Sequence, residues 1–412
     1  MTSAAGPRPA VEVADVIREH GAAFRAKFGG TLTGTQHKAL RDLAVCRTAA
    51  LGGHVERCLD CGHERIAYNS CRNRHCPKCQ ALARAQWLER QAQHLLPVAY
   101  YHVVFTLPPA VAELALANPR LLYDALFQAA AQTLREVAAN PKRLGAQLGM
   151  LLVLHTWGQN LHHHPHIHAV VTGGGLACNA RGDLEASPRW QSCRPGFFLP
   201  VRVLSRVFRG KYLDLLRRAF DRGQLVFPGR LAPLADRSAF TRWLTPLYRQ
   251  EWVVYAKRPF GGPAQVLKYL ARYTHRVAIS NQRLVDMTPS PLGGEGRGEG
   301  TVTFRYTDYA DAPRHKTMTL SAEEFLRRFV QHVLPKGFVK IRHYGLLANR
   351  SRAQRLALCR SLLLAVNVVA HLPAAASAVA PAREPTCPQC GGSRLAVCVL
   401  LREPAPPRRD TS

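Results

Sequence analysis

The pattern of apolar and polar positions divides the chain into strand-like and helix-like stretches. Tyr100 to Leu107 is a strand-like run closed by Pro108-Pro109, and Gly149 to Thr156 is a second, apolar one; both predict strands. A third strand is predicted from near Pro165, because Ile167 to Thr172 is mostly β-branched, and the glycines from Gly173 are expected to stop it. The short segment Trp157 to His164 would join the last two as a hairpin. Helical spacing marks 36–51, with Leu40, Leu43 and Ala44 on one side, and 82–96 before Pro97. It also marks Asn118 to about Ala139, with Asn118 as N-cap and Pro119 at the first helical position. Pro263 can open a helix that meets no breaker before Val277. Ser321-Ala-Glu-Glu324 is a capping box for a helix to about Leu334. Strand-like Arg283 to Met287 and Thr301 to Tyr306 flank a Pro/Gly-rich segment, 289–300, that reads as a flexible hairpin loop.

These elements predict an α+β protein: an antiparallel sheet with flanking helices, preceded by a small zinc-ribbon-like domain. The expected division is 1–95 for the small domain, 96–372 for the sheet domain, and 373–412 for an Ala/Pro-rich linker and tail. That tail carries a lone knuckle, Cys387-Pro-Gln-Cys390-Gly391, a weak metal signal without a partner pair, and its end from Arg402 is expected to be disordered. The apolar stretch Leu362 to Ala382 is broken by Asn367, His371 and Pro373, so no membrane span is expected there.

Charge narrows the function. Lys and Arg number 56 against 27 acidic residues, a formal charge of +29 over 412 residues, which is the footprint of a polyanion binder with nucleic acid as the leading partner. The segment Met1 to Gly21 has no apolar core of a secretory signal. Twelve cysteines, several paired at two-residue gaps, then read as metal ligands in a reducing, cytoplasmic compartment rather than as disulfides.

The candidate chemistry lies in three clusters. In His162-His163-His164-Pro165-His166-Ile167-His168, strand alternation places His166 and His168 side by side on one face, where two neutral imidazoles can hold a divalent cation. The string His164 to Val170 also fits a histidine-triad nucleotide hydrolase, so the spacing alone does not name the reaction. Cys58-Leu-Asp-Cys61 and Cys76-Pro-Lys-Cys79 have the spacing of a four-cysteine zinc ribbon, and Cys46, His54, Cys71 and His75 could hold a second zinc. Arg72 and Arg74, between the knuckles, would suit contact with a nucleic-acid backbone. Tyr269 and Tyr273 would share a helix face with Lys268 and Arg272 beside them, although such a pair is ordinarily core. The segment 337–352, with Arg342, mixes basic and aromatic residues on which single-stranded bases could stack.

The ordered set of His54, Cys58-x-x-Cys61-Gly-His63, Ser70-Cys71-Arg-Asn-Arg-His-Cys76-Pro-Lys-Cys79, Leu154-His-Thr-Trp-Gly-Gln-Asn160-Leu161, His164-Pro-His-Ile-His168 and Tyr269-x3-Tyr273 closely resembles one family. This is the two-tyrosine rolling-circle transposases named after insertion sequence ninety-one, in the His-hydrophobic-His endonuclease superfamily. The resemblance runs from about residue 30 to about 370. It implies that Tyr269 and Tyr273 attack phosphodiesters of single-stranded DNA at element ends and in the target, through 5′-phosphotyrosine links. It also implies a catalytic Mg²⁺ or Mn²⁺ on His166 and His168, with Gln159 as third ligand and His155 or His164 as alternatives, beside structural Zn²⁺. Such a protein would be bacterial, cytoplasmic, and nucleoid-associated when bound to DNA. A replication initiator of the same superfamily shares this site, and a non-catalytic zinc-finger DNA binder would share the charge and cysteines. No G-x-x-x-x-G-K-[ST] occurs, so no P-loop helicase is built in.

Overall fold

The computed structural model describes residues 9–179, 181–260, 265–266, 269, 277–288, 300–308, 314–365 and 386–400. These fall into two compact units. One comprises the described residues up to Ala83, from Val277 to Val333 and from Thr386 onward; the other runs from Arg84 to Tyr269 and from Leu334 to Ala365. No described helix is long and apolar enough to cross a membrane.

The first unit begins with helices α1 (Val13–Phe28) and α2 (Gly34–Ala44). Thr33 caps α2, its hydroxyl accepting from the Gln36 backbone N–H while Gln36 answers the Thr33 N–H, a reciprocal capping box. A hairpin of β1 (Gly53–Cys58) and β2 (Glu64–Tyr68) follows. Val16, Ile17, Leu40 and Leu43 are buried, as are Phe304 and Phe325 further along the chain. Asn281 accepts from the Val13 N–H at 3.2 Å and donates to Glu12, and Gln36 donates to the Val330 carbonyl. Those bonds tie a later segment into this unit: strands β8 (Leu284–Met287), β9 (Thr301–Asp308) and β10 (Arg314–Ser321), then helix Ala322–Val330. Ser321 caps that helix as its sequence indicates, but the helix stops at Val330 rather than near Leu334. The final strand, Leu395–Leu400, pairs antiparallel with β1, so the 53–68 hairpin and the end of the described chain form one three-stranded sheet. The expected boundaries are redrawn accordingly: the first unit ends at Ala83 and recruits both 277–333 and the cysteine knuckle near the C-terminus.

The second unit is built on an antiparallel sheet of β3 (Tyr100–Thr106), β4 (Ala146–Trp157), β5 (His163–Ala177), β7 (Val254–Phe260) and β11 (Ile341–Gly345), in the order β11-β4-β5-β3-β7. The short β6 (Trp190–Ser192) pairs with the far end of β5. One face carries Val103, Phe105, Leu152, Leu154, Ile167, Ala169 and Val171. It is buried against α4 (Pro109–Ala117), α5 (Pro119–Ala139) and α6 (Val201–Asp221), the larger core. The opposite face carries Val153, Val170 and the site histidines; Val266, Leu346, Leu356 and the second half of α3 (Gln80–Ala92) complete a smaller cluster there.

Two local expectations change. The strand does not stop at the glycines: β5 starts at His163 and continues through Gly173 to Gly175 to Ala177. A Cβ on Gly173 would lie 2.8 Å from the Ala99 carbonyl oxygen, and one on Gly175 would lie 2.0 Å from that of Gln147. The glycines admit neighbouring backbones instead of breaking the strand. Pro119 opens α5 as expected, but the Asn118 side chain does not cap it. It exchanges hydrogen bonds with the Val226 backbone, fastening the start of α5 to the chain after α6.

Candidate active site and cysteine clusters

Strand register assembles the histidine site. His155 on β4 lies opposite His166 on β5, and Val104 on β3 lies opposite His168, so His102, two residues before Val104, shares their face. The two β5 histidines each have the outer nitrogen engaged. His166 Nδ1 lies 2.7 Å from the carbonyl oxygen of His164, to which it can only donate, so Nε2 keeps its lone pair. His168 Nδ1 lies 2.8 Å from His102 Nε2. The inner nitrogens converge, with His166 Nε2 3.1 Å from His168 Nε2, and His155 stacks on Trp157 with its ring centred 4.5 Å from that of His168. One ligand atom from each of His155, His166 and His168 lies within 4.8 Å of the others. Two ligands held at right angles about 2.1 Å from an ion are about 3 Å apart, so the His166–His168 pair fits a cation without rearrangement.

Beyond His102 stands Tyr269, whose hydroxyl oxygen lies 2.6 and 2.8 Å from the two ring nitrogens of that histidine. Tyr269 is helical and only partly buried, packed at the margin of the smaller apolar cluster. His102 is 3% exposed, and burial, reinforced by the nearby positive charge of Lys257, pushes its imidazole down to about 3, so it is neutral near pH 7. Sequence reading passed over His102; its only signal was a polar residue in an otherwise apolar strand, in step with the alternation of the site face. Tyr273, Lys268 and Arg272 lie outside the described residues. Gln159, expected as third ligand, lies in the turn between β4 and β5, and the third imidazole of the converging group is His155. His163 is drawn elsewhere, 2.7 Å from the hydroxyl of buried Tyr123.

Arg342 sits on the other side of the sheet. It pairs with Asp124 and stacks over Phe127 with its guanidinium carbon 4.1 Å from the ring centroid, its side chain 25% exposed. Arg72 is exposed at a positive φ of 53° between cysteine ligands, whereas Arg74 is more enclosed and burial lowers its pKa.

The cysteines group differently from the spacing-based expectation. Cys58 and Cys61 do not meet Cys76 and Cys79. Cys46, Cys71, Cys76 and Cys79 form one group, and Cys58, Cys61, Cys387 and Cys390 form another. His54 is not in either group and faces Glu56 at 3.3 Å; His75 is likewise outside both. In the first group Cys76 Sγ is 3.5 Å from Cys46 Sγ, and Cys71 Sγ is 3.8 Å from Cys79 Sγ. Zinc–sulfur bonds of about 2.3 Å at tetrahedral angles put sulfurs about 3.8 Å apart, so the donor set and spacing fit Zn²⁺.

An antiparallel sheet presenting converging imidazoles, in a chain that also carries four-cysteine groups, is the arrangement expected of the His-hydrophobic-His fold. Comparison with known proteins is more specific. Residues 149–355 match a family model described as "Putative transposase", and residues 16–107 match one described as "Transposase zinc-binding domain". The chain is 55% identical over 356 residues to "Putative transposase y4qJ" of Sinorhizobium fredii (strain NBRC 101917 / NGR234), covering 86% of this chain and 85% of that protein. It is 30% identical over 332 residues to "Transposase for insertion sequence element IS801" of Pseudomonas savastanoi pv. phaseolicola, covering 79% and 74% respectively. No solved structure matches. The chain belongs to the insertion sequence ninety-one family of transposases.

Proposed function

We propose that this transposase cleaves and rejoins single-stranded DNA at the ends of an insertion sequence through a covalent 5′-phosphotyrosine intermediate, with Tyr269 as a nucleophile. The observation that carries this reading is the line of contacts from the converging imidazoles through His168 and His102 to the Tyr269 hydroxyl. In the step itself the Tyr269 oxygen forms a bond to phosphorus, the bond from phosphorus to the 3′-oxygen breaks, and the phenolic proton leaves while the 3′-oxygen gains one. Bond energy is retained for rejoining. Tyr273 would be the second nucleophile, allowing one strand end to stay held while another is cut.

A divalent cation on His155, His166 and His168 would polarise the scissile phosphate and offset charge in the transition state. For His168 to offer Nε2 to an ion, its hydrogen must sit on Nδ1, where it is donated to His102 Nε2. The hydrogen of neutral His102 then sits on Nδ1, 2.8 Å from the Tyr269 oxygen, with Nε2 2.6 Å from it, so His102 holds the hydroxyl beside the converging imidazoles. His102 is thus a positioning residue. Changing it to Ala is expected to slow cleavage about 10- to 100-fold with little change in the KM for the oligonucleotide, and His102→Gln should recover part of the loss. An equal loss in KM would place His102 in DNA binding instead.

A set of three nitrogens suits Mn²⁺ better than the strongly oxygen-preferring Mg²⁺. Cleavage should therefore saturate at lower Mn²⁺ than Mg²⁺ and vanish with EDTA; half-saturation at equal concentrations would argue for a different donor set. The net charge of +29, with exposed Arg72 among the cysteines, supports a DNA-contacting role for the first unit. The direct test of the whole reading is to incubate labelled single-stranded oligonucleotides bearing element ends with protein and metal. A denaturant-resistant protein–DNA adduct that requires metal supports it, and binding of the same ends with no adduct under any metal rejects it.

A further inference from the structure

We propose that Cys58, Cys61, Cys387 and Cys390 form a second zinc site, a ribbon split between the two ends of the chain. Neither family match covers its C-terminal half, since the matched residues are 16–107 and 149–355. The two halves are built alike. Each reads Cys-x-x-Cys-Gly, with the glycine at positive φ, 73° at Gly62 and 76° at Gly391. In the first, the Gly62 N–H donates to the Cys58 carbonyl at 2.9 Å and the Cys58 N–H to the His63 carbonyl at 2.9 Å. In the second, the Gly391 N–H donates to the Cys387 carbonyl at 2.9 Å and the Cys387 N–H to the Gly392 carbonyl at 2.7 Å. The same pattern recurs in two segments more than three hundred residues apart, and it turns both pairs of thiols toward one point.

The sulfurs face each other across the two turns: Cys58 and Cys390 at 3.6 Å, Cys61 and Cys387 at 3.6 Å. These separations are close to the edge of about 3.8 Å for a tetrahedral zinc with four thiolates. The supporting sheet is independent of the cysteines. Strand Leu395–Leu400 pairs with β1 over six positions from Gly53 opposite Leu400 to Cys58 opposite Leu395, and the Leu59 N–H donates to the Arg394 carbonyl. Arg394 also pairs with Asp60 at 3.2 Å. Cys398 sits within that strand, opposite Val55, and is not a member of the set.

The site takes a thiophilic, tetrahedral ion, Zn²⁺, and each thiol gives up its proton as it binds. Its completion waits on residues near the end of the chain, whereas the group of Cys46, Cys71, Cys76 and Cys79 can close as soon as the N-terminal region is made. Zinc content per chain, measured by native mass spectrometry and elemental analysis on the full-length protein, tests this. Wild type should carry two zinc ions. Cys58→Ser/Cys61→Ser, Cys387→Ser/Cys390→Ser and the quadruple combination should each carry one, because all three break the same site. Cobalt-substituted wild type should lose about half its thiolate-to-cobalt charge-transfer intensity on the Cys387→Ser/Cys390→Ser change, a readout that needs no DNA cleavage. Unchanged zinc content in that variant, a single ion in wild type, or the loss of both ions only in the quadruple variant would overturn the split site while leaving the nuclease reading intact.

Discussion

Tyr269→Phe is expected to abolish the covalent DNA adduct that this residue forms and to slow strand cleavage at its step about 10³-fold or more, since the variant removes the attacking oxygen and nothing else of the side chain. The ring stays, packed at the edge of the cluster that includes Val266 and Leu346, so the loss to the fold should be on the scale of the hydroxyl's contact with His102, about 1 kcal/mol. That contrast separates a nucleophile from a core tyrosine: activity collapses while the melting temperature barely moves. The measurement is paired, with adduct quantified on denaturing gels and by peptide mapping, and unfolding followed by calorimetry. Recovery of a wild-type adduct level from Tyr269→Phe, with the DNA mapped to another residue, would remove Tyr269 from the chemistry. Fast cleavage that disappears only in Tyr269→Phe/Tyr273→Phe would mean that either tyrosine serves.

The histidine strand was the most legible part of the chain because its chemistry rides on a period of two, a property local to the strand. Alternation alone places His166 beside His168, and the structure keeps them there. What alternation cannot supply is the neighbour across the sheet. His155 joins the group because β4 and β5 pair in the register that sets it opposite His166, and His102 comes from a third strand. The glycines misled because a propensity argument treats them as breakers, whereas here the approach of the Ala99 and Gln147 backbones makes a side chain impossible. The cysteine grouping failed for a different reason. Three knuckles and two further cysteines permit several tetrahedral sets, and spacing favours the nearest pair. The partner of Cys61 is Cys387, 326 residues away, brought to it by the pairing of the last described strand with β1. Arg342 illustrates the same limit: its place in a basic, aromatic segment says nothing of the neighbours that the register of β11 gives it, Asp124 and Phe127.

Cys76→Ser should be the most damaging single change to the first unit. Cys76 is 1% exposed and Cys46 is fully buried, so the group they share with Cys71 and Cys79 lies inside the fold rather than on its surface. Cys46 follows α2 directly, Cys71 follows the β1–β2 hairpin, and Cys79 immediately precedes α3, so one ion would fasten three successive elements. Around it the Cys71 N–H donates to Cys46 Sγ, and the Asn73 side chain, on the loop between ligands, donates to Asp42 on α2 at 2.8 Å. The apparent binding energy of a structural zinc, about 10–16 kcal/mol, is as large as the whole stability of a typical domain, about 5–15 kcal/mol, so a unit organised by such an ion has little to fall back on. Serine is too hard a ligand to replace the thiolate and leaves a polar group in a buried place. The expected result is loss of one zinc per chain, a fall in the unit's melting temperature of more than about 10 °C, and early proteolysis between α2 and α3. DNA-end binding should fall with it, while the sheet bearing the histidines keeps its own transition. Cys390→Ser, altering an exposed ligand of the other group, should cost markedly less. If Cys76→Ser instead retains its zinc and melts with wild type, the buried cysteines are packing residues and the metal resides elsewhere.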